Sequence, residues 1–240
     1  MDQLLELCDT EICPKMEQSL PLIGDAAPEF TASTTNGKIK FPDDFAGKWV
    51  VFFSHPADFT PVCTTEFIEF QNNLKEFEKI NTTLLGLSVG GLTSHLGWFD
   101  AISKMQNGTN ITFPLIDDLN MNVAKLYGMI QAGASDTHAA RAVFIIDPNG
   151  IIRTVLYYPA SLGRNMSEIW RILVALQTAD AFGVATPANW TPGDEVLTPA
   201  PTSASELREH DKKIPWFMNY KKLDKKEIYD KICKKNAETK

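Results

Sequence analysis

The sequence predicts an α/β protein, a three-layer domain in which helices flank a mixed sheet, followed by a C-terminal arm. Three observations support this prediction. Continuous apolar runs, typical of buried strands, alternate with segments whose apolar residues recur every three or four positions. Two β-rich runs around a tight-turn sequence then indicate a hairpin. Beyond residue 183 several prolines would break a long helix, so an extended segment is expected at 183–205.

The first strand and helix of the domain are predicted from residues 49–79. The run WVVFFS at 49–54 is continuously apolar, as a strand buried on both faces requires. Four apolar residues after it would share one stripe of a helix, namely Phe67, Phe70, Leu74 and Phe77. Pro61 suits the first turn of this helix, because the N–H that proline lacks would have no partner there.

The next predicted elements are a strand and a short helix. TLLGLSVG at 83–90 has the composition of a second buried strand. Ser94 is predicted to cap a helix that carries Leu96, Phe99 and Ile102 and ends near Gly108.

The second half of the domain is predicted to close the sheet. Residues 113–116 have the composition of a short strand, and residues 121–129 that of one or two helical turns. Residues 141–158 form two β-rich runs around Asp-Pro-Asn-Gly, which is typical of a hairpin. The last predicted element is a helix at 167–181.

These patterns divide the chain into three predicted parts. Residues 1–19 form an N-terminal extension, residues 20–182 the α/β domain, and residues 183–240 a C-terminal arm domain. The last thirty residues contain ten lysines and five acidic residues. A solvated helix is favoured over a binding patch for this charged segment.

Composition and charge narrow the possible functions. The net charge of −7 argues against nucleic acid as a partner, and no apolar run approaches the roughly 20 residues that span a bilayer. The first twenty residues lack the features of a secretory signal. Four irregularly spaced cysteines do not suggest a disulfide scaffold, so we expect a cytoplasmic protein with reduced cysteines.

Cys63 is the candidate reactive residue. It lies within the predicted first turn of the helix that begins around Pro61. Free backbone N–H groups and the positive end of the helix dipole favour an anion at such a position, and the thiolate is the nucleophilic form of cysteine. The alternative is a buried cysteine that acts as a small apolar residue. Position alone does not decide between the two.

The surrounding residues resemble those of a known family. HPADFTPVCTTEF is similar to the active-site segment of peroxiredoxins, with its pattern P-x-x-x-T-x-x-C at Pro56, Thr60 and Cys63. RAVFIIDPNG resembles the strand that bears the family's invariant arginine, here Arg141, and YPASLGRNMSEIWRILVALQ resembles the segment of its second arginine, here Arg164. The similarity extends over residues 20–220 and indicates the long-chain, one-cysteine-type subgroup, which has mammalian and archaeal members.

The resemblance implies a thioredoxin-like fold and a thiol-dependent peroxidase that reduces hydrogen peroxide and alkyl hydroperoxides. Cys63 would attack the peroxide and become a sulfenic acid. The Thr60 hydroxyl would donate to a peroxide oxygen or to the thiolate, and it would accept a hydrogen bond from the peroxide O–H. Arg141 would stabilise the thiolate and the leaving oxygen, and Pro56 would shape the pocket. The resemblance implies no metal and no organic cofactor.

Three further residues are expected to support the site. Glu66 either holds an arginine in place or complements the helix dipole as a first-turn acid. Arg164 either serves the site or pairs with Glu66 or Glu168. His55 could be the base of a Cys–His hydrolase, but a structural role is favoured because the sequence identifies no aspartate or asparagine that would orient it.

The fate of the sulfenic acid depends on the other thiols. Cys233 is a possible resolving cysteine toward a partner chain, although a bystander role is favoured. Cys8 and Cys13 are spaced C-x₄-C, a weak metal pattern, and could also form a disulfide, resolve Cys63 or remain free. The expected partners are a hydroperoxide, an external thiol reductant such as a thioredoxin-like protein, and a second copy of the chain in a homodimer or decamer.

Two other functions could also use a reactive cysteine. A thiol–disulfide oxidoreductase would need C-x-x-C, whereas Cys63 is followed by Thr-Thr-Glu. A peroxide sensor or holdase chaperone could use the same reactive Cys63. Such a protein would stop after one equivalent of peroxide, whereas a peroxidase would turn over with a recycling reductant.

Overall fold

The computed structural model describes residues 20–106, 108–209 and 215–238. In chain order the strands are β1 (Phe30–Thr34), β2 (Gly37–Phe41), β3 (Trp49–Ser54), β4 (Thr82–Ser88), β5 (Leu115–Asp117), β6 (Arg141–Ile146), β7 (Ile152–Tyr158), β8 (Glu195–Leu197) and β9 (Tyr220–Lys222). The helices are α1 (Pro61–Lys79), α2 (Leu92–Met105), α3 (Asn122–Leu126), α4 (Met166–Phe182), α5 (Ala204–Glu209) and α6 (Lys225–Glu238).

The main sheet is mixed, as predicted. Its order is β2-β1-β5-β4-β3-β6-β7. Strand β3 lies near the centre, parallel to β4 and antiparallel to β6, and β4 is parallel to β5. The predicted hairpin is confirmed, because β6 and β7 pair antiparallel across a turn that contains Gly150, whose φ is +76°. The end of β3 and the start of β6 therefore lie side by side, where Ser54 Oγ donates to the Ala140 carbonyl at 2.6 Å.

The hairpin of β1 and β2 at one edge of the sheet was not predicted. These strands pair in register from Phe30–Phe41 to Thr34–Gly37. They are half-exposed and rich in threonine and lysine, so they lack the apolar run by which the other strands were found. The turn Asn36-Gly37 is the signal that would have revealed them, since Gly37 has a φ of +110°.

The two faces of the sheet carry separate apolar cores. Along β3, Val51 and Phe53 face a core shared with α1, α2, α4 and α6. Val50 and Phe52 face the opposite core, which includes α3 and residues of the β1–β2 hairpin. This alternation is the two-residue period of a strand, and it confirms the predicted arrangement of a sheet flanked by helices.

Helix α2 differs from the prediction in its start and its buried face. Gly91 is the N-cap, and Ser94 lies inside the helix with its hydroxyl donating to Asp58 Oδ2 at 2.7 Å. The predicted cap at Ser94 is therefore wrong. The buried residues are His95, Trp98 and Ile102, whereas Leu96, predicted among the apolar residues, is 48% exposed.

The C-terminal arm is more ordered than predicted. Strand β8 lies within the segment expected to be extended, and it pairs antiparallel with β9. Helix α6 is present, but it is not solvated on all sides, because Ile228 and Ile232 are buried in the core that contains α4. Its lysines therefore lie on the outer face of an amphipathic helix. No helix in the described residues is long and apolar enough to cross a membrane.

Candidate active site

Cys63 lies in the first turn of α1, as the sequence predicts. Thr60 is the N-cap, with extended backbone angles, and Pro61 occupies the first helical turn. The first backbone N–H groups of a helix have no partner within the helix, and together with the helix dipole they make this end electropositive. Cys63 itself is fully buried and is a free thiol. Local sequence thus places a sulfur where negative charge is favoured.

Arg141, the first residue of β6, contacts that sulfur. Its Nη1 donates to Cys63 Sγ at 3.2 Å and to Glu66 Oε2 at 2.7 Å. Its Nε and Nη2 both donate to the Ala160 carbonyl, at 3.1 and 2.8 Å. The guanidinium is thereby fixed on its other side by backbone, so its position relative to the sulfur does not depend on a mobile side chain.

Arg164 is fully buried and binds the same carboxylate. Its Nε donates to Glu66 Oε1 at 2.9 Å and its Nη2 to Glu66 Oε2 at 2.7 Å, a bidentate pair. Its Nη1 donates to the carbonyls of Ser54 and Ala142, at 2.9 and 3.0 Å. Of the two predicted partners, Arg164 therefore contacts Glu66, while Glu168 pairs with Arg171.

The charges of this cluster do not cancel without Cys63. Arg141 and Arg164 contribute two positive charges, and Glu66 contributes one negative charge. Burial raises the pKa of Glu66, but the attraction and hydrogen bonds of Arg164 outweigh burial, so the net effect lowers it and the carboxylate is ionised. Burial lowers the pKa of Arg164, although a guanidinium stays protonated in proteins. The surplus positive charge is neutralised when Cys63 is a thiolate.

Thr60 and Pro56 lie on the loop between β3 and α1. The Thr60 hydroxyl donates to the Ala57 carbonyl at 2.9 Å, so its proton is already used and its oxygen lone pairs remain able to accept. Pro56 is half-buried and lines a cavity of about 290 Å³ together with Tyr157 and Ala160. Arg141 holds the carbonyl of that same Ala160, which places the cavity beside the cluster.

His55 has an aspartate partner that the sequence analysis did not identify. Its Nε2 lies 2.9 Å from Asp58 Oδ1, only three residues further along the chain. Burial lowers the pKa of His55 despite this carboxylate, so the ring is neutral. Among the described contacts the ring packs on Phe67 and Trp98 and not on the Cys63 sulfur. These contacts do not support a Cys–His hydrolase.

Two residues near the site were missed, Asp58 and His95. Asp58 accepts hydrogen bonds from several side chains, including His95, which lies on the buried face of α2. The signal for Asp58 was its place inside the segment HPADFTPVC. His95 had no local signal, because its importance depends on where α2 packs.

The other cysteines lie apart from this cluster or outside the described residues. Cys233 is an exposed free thiol on α6, with Sγ 3.7 Å from the Lys79 carbonyl at the far end of α1. Cys8 and Cys13 lie in the N-terminal part of the chain that the structure does not describe. Within the described ranges, no group of three or more His, Cys, Asp or Glu residues is arranged to hold a metal ion.

The chain is similar to known proteins over most of its length. Residues 23–155 match the AhpC/TSA family, and residues 175–210 match the C-terminal domain of 1-Cys peroxiredoxin. The chain is 55% identical over 215 residues to a peroxiredoxin of Methanosarcina mazei, with 85% of this chain and 98% of the relative covered. It is 49% identical over 219 residues to a peroxiredoxin of Aquifex aeolicus, with 85% and 98% covered.

This chain belongs to the peroxiredoxin family. Solved structures support the same assignment. A yeast mitochondrial 1-Cys peroxiredoxin, whose structure concerns thiol resolution via glutathione/thioredoxin systems, is 41% identical with a TM-score of 0.77, covering 85% of this peroxiredoxin and all of that chain. A mutant of peroxiredoxin 6 from Arenicola marina is 32% identical with a TM-score of 0.76, covering 85% and 99%. The predicted thioredoxin-like fold and the one-cysteine-type subgroup are confirmed.

The family assignment also establishes the activity. This peroxiredoxin is a thiol-dependent peroxidase, which uses a hydroperoxide as oxidant and a thiol as reductant. The comparisons favour this enzyme over the peroxide sensor or holdase that the sequence left open.

Proposed function

We propose that Cys63 is the peroxidatic cysteine, that Arg141 and Thr60 bind the peroxide, and that Pro56, Glu66, Arg164 and His55 support them. The observation that carries this proposal is the 3.2 Å contact between Arg141 Nη1 and Cys63 Sγ. A permanent cation at this distance favours the thiolate and remains close to the oxygen that leaves during the reaction.

In the proposed reaction, the Cys63 thiolate attacks one oxygen of the hydroperoxide ROOH. An S–O bond forms as the O–O bond breaks, so the sulfur is oxidised to a sulfenic acid and RO⁻ leaves. Arg141 stabilises the negative charge that shifts from sulfur to RO⁻. The Thr60 hydroxyl oxygen accepts a hydrogen bond from the peroxide O–H, because the hydroxyl proton is donated to the Ala57 carbonyl. A proton from the medium converts RO⁻ to an alcohol, or to water when the substrate is hydrogen peroxide.

Reduction of the sulfenic acid is proposed to use an external thiol. Cys233 lies beside the last turn of α1, whereas Cys63 lies in its first turn, so the two thiols are at opposite ends of a 19-residue helix. At 1.5 Å rise per residue that length separates them by roughly 25 Å, far beyond disulfide reach. Within one chain, Cys233 is therefore a bystander.

We further propose that the protein acts in the cytoplasm as a homodimer that can assemble into a decamer. Exposed aromatic residues on the arm support an interface between copies. Trp216 and Phe217 are 49% and 57% exposed and contact each other edge to face. Light scattering after size exclusion measures the assembly, and a monomer at micromolar concentration would contradict this proposal.

Peptide mass spectrometry tests the role of the cysteines. After one equivalent of hydrogen peroxide and a sulfenic acid trap, we expect the trap on Cys63 and an unmodified Cys233 in the same digest. Peroxide consumption with a recycling thiol should be lost in Cys63→Ser and retained in Cys233→Ser. Oxidation of another residue with Cys63 intact would overturn the proposal. The dependence on an external thiol would be overturned by a disulfide that joins Cys63 to Cys233, Cys8 or Cys13.

A further inference from the structure

A second cluster of polar side chains lies under the loop that carries Thr60. The Asp58 carboxylate is almost fully buried, with 5% of its side chain exposed, and three groups surround it. Ser94 Oγ donates to Oδ2 at 2.7 Å, His95 Nδ1 lies 2.7 Å from Oδ2, and His55 Nε2 lies 2.9 Å from Oδ1. Burial raises the pKa of Asp58, but these hydrogen bonds together lower it well below its ordinary value. Asp58 is therefore an ionised acceptor.

Both ring nitrogens of His95 contact the rest of the protein. Its Nδ1 lies 2.7 Å from the Asp58 carboxylate, and its Nε2 lies 3.2 Å from the carbonyl of Ile116 in β5. The His95 side chain is completely buried, so water does not compete for these contacts. The ring therefore links the loop at Asp58 to strand β5.

His55 differs from His95 although it binds the same carboxylate. Its Nε2 donates to Asp58, while its Nδ1 is buried and has no hydrogen-bond partner among the described residues. A neutral ring with the proton on Nε2 satisfies this arrangement. The two histidine rings lie 6.5 Å apart.

Helix α2 also contacts the first turn of α1, through a residue one helical turn beyond His95. Trp98 Nε1 donates to Thr64 Oγ1 at 3.2 Å, and Thr64 Oγ1 donates to the Thr60 carbonyl at 2.8 Å. His95 and Trp98 lie three residues apart, on the same buried face of α2. The helix therefore holds the loop at Asp58 and again at Thr60, the residues that flank Phe59, whose φ is +56°.

We propose that His95 is a positioning residue that fixes the loop carrying Thr60 through Asp58. The proposal rests on the assignment of Thr60 and Cys63 to the peroxidase reaction. His95 does not touch the sulfur in the described contacts, so its effect passes through Asp58 and the loop backbone.

Kinetics of three α2 variants test the positioning role. The second-order rate of Cys63 oxidation by hydrogen peroxide is measured by stopped flow at pH 7. In His95→Leu we expect it to fall by about tenfold to a hundredfold, the effect of losing a hydrogen bond to a charged group. His95→Asn can still donate to Asp58, so it should recover most of the rate. Lys104→Gln, an exposed side chain on the same helix, is the matched control.

The outcomes separate this proposal from the proposed function. Failure of Cys63 to react in the wild-type protein would overturn the proposed function. Normal reaction of Cys63 with an unchanged rate in His95→Leu would overturn the positioning role alone. If His95→Leu does not fold, Asp58→Asn decides, because it weakens the same link from the loop and should also slow the oxidation of Cys63.

Discussion

Arg141 joins Cys63 to Glu66 through a single nitrogen, since Nη1 lies 3.2 Å from the sulfur and 2.7 Å from the carboxylate oxygen Oε2. The same carboxylate binds Arg164, so the sulfur, both guanidiniums and the carboxylate form one buried unit. A change in any one of these groups is therefore expected to alter the charge felt by the sulfur.

Arg141→Lys should lower the rate of peroxide reduction. A lysine keeps the positive charge, but it cannot hold the Ala160 carbonyl with two nitrogens while a third contacts the sulfur. Losing a hydrogen bond to a charged group costs about 1.5–3 kcal/mol, which corresponds to roughly a tenfold to hundredfold drop in kcat/KM. Stopped-flow kinetics measure this. Arg153→Lys, at a partly exposed arginine paired with Asp180, is the control and should keep its rate.

Glu66→Gln should destabilise the fold as well as the site. It leaves two buried guanidiniums without their shared carboxylate, and breaking a buried ion pair in this way typically costs about 3–5 kcal/mol. Urea denaturation monitored by tryptophan fluorescence gives the free energy of unfolding. The exposed pair of Glu76 with Lys79 provides the control Glu76→Gln, which should change stability by less than about 1 kcal/mol. An unchanged midpoint in Glu66→Gln would contradict the importance of the buried unit.

Stability should also fall at acid pH through Glu66. The pKa of Glu66 in the folded protein lies below its ordinary value of 4.5, because Arg164 and Arg141 outweigh burial. The unfolded state therefore binds the proton first. The stabilising contribution is complete above pH 4.5 and is lost as pH falls through the lower, folded value. Unfolding free energies measured from pH 7 to 3 should decline more steeply in the wild type than in Glu66→Gln. Parallel curves would show that Glu66 does not contribute.

Ile232→Ala should loosen the C-terminal helix. Ile232 is 1% exposed and belongs to the core beneath α6, so its truncation should cost about 2–5 kcal/mol or detach the helix locally. Hydrogen exchange of α6 distinguishes local detachment from global destabilisation. Lys234→Ala, on the exposed side of the same helix, should change stability by less than about 0.5 kcal/mol. Equal protection in both variants would show that α6 does not depend on this contact.

The sequence predicted the elements whose signals are local. The continuous apolar run of β3, the proline in the first turn of α1 and the tight turn between β6 and β7 each lie within a few residues, and the structure has all three. The same local reasoning placed Cys63 at a helix N-terminus. Two elements were missed or misplaced. The β1–β2 hairpin was not predicted because its strands lack an apolar run, and the start of α2 was placed at Ser94 because its actual N-cap is a glycine.

By itself, therefore, the sequence determined the reactive turn and, through resemblance, the family. Tertiary structure decided which groups surround that turn. Glu66 and Arg164 are 98 residues apart in the chain, and Asp58 and His95 are 37 apart. Strand order and the packing of α2 bring these pairs together, and periodicity along the chain carries no information about either. The physical reason is that an unpaired buried charge costs free energy, so each buried charge in a stable fold has a partner. Which residue is that partner depends on which helices and strands pack against each other.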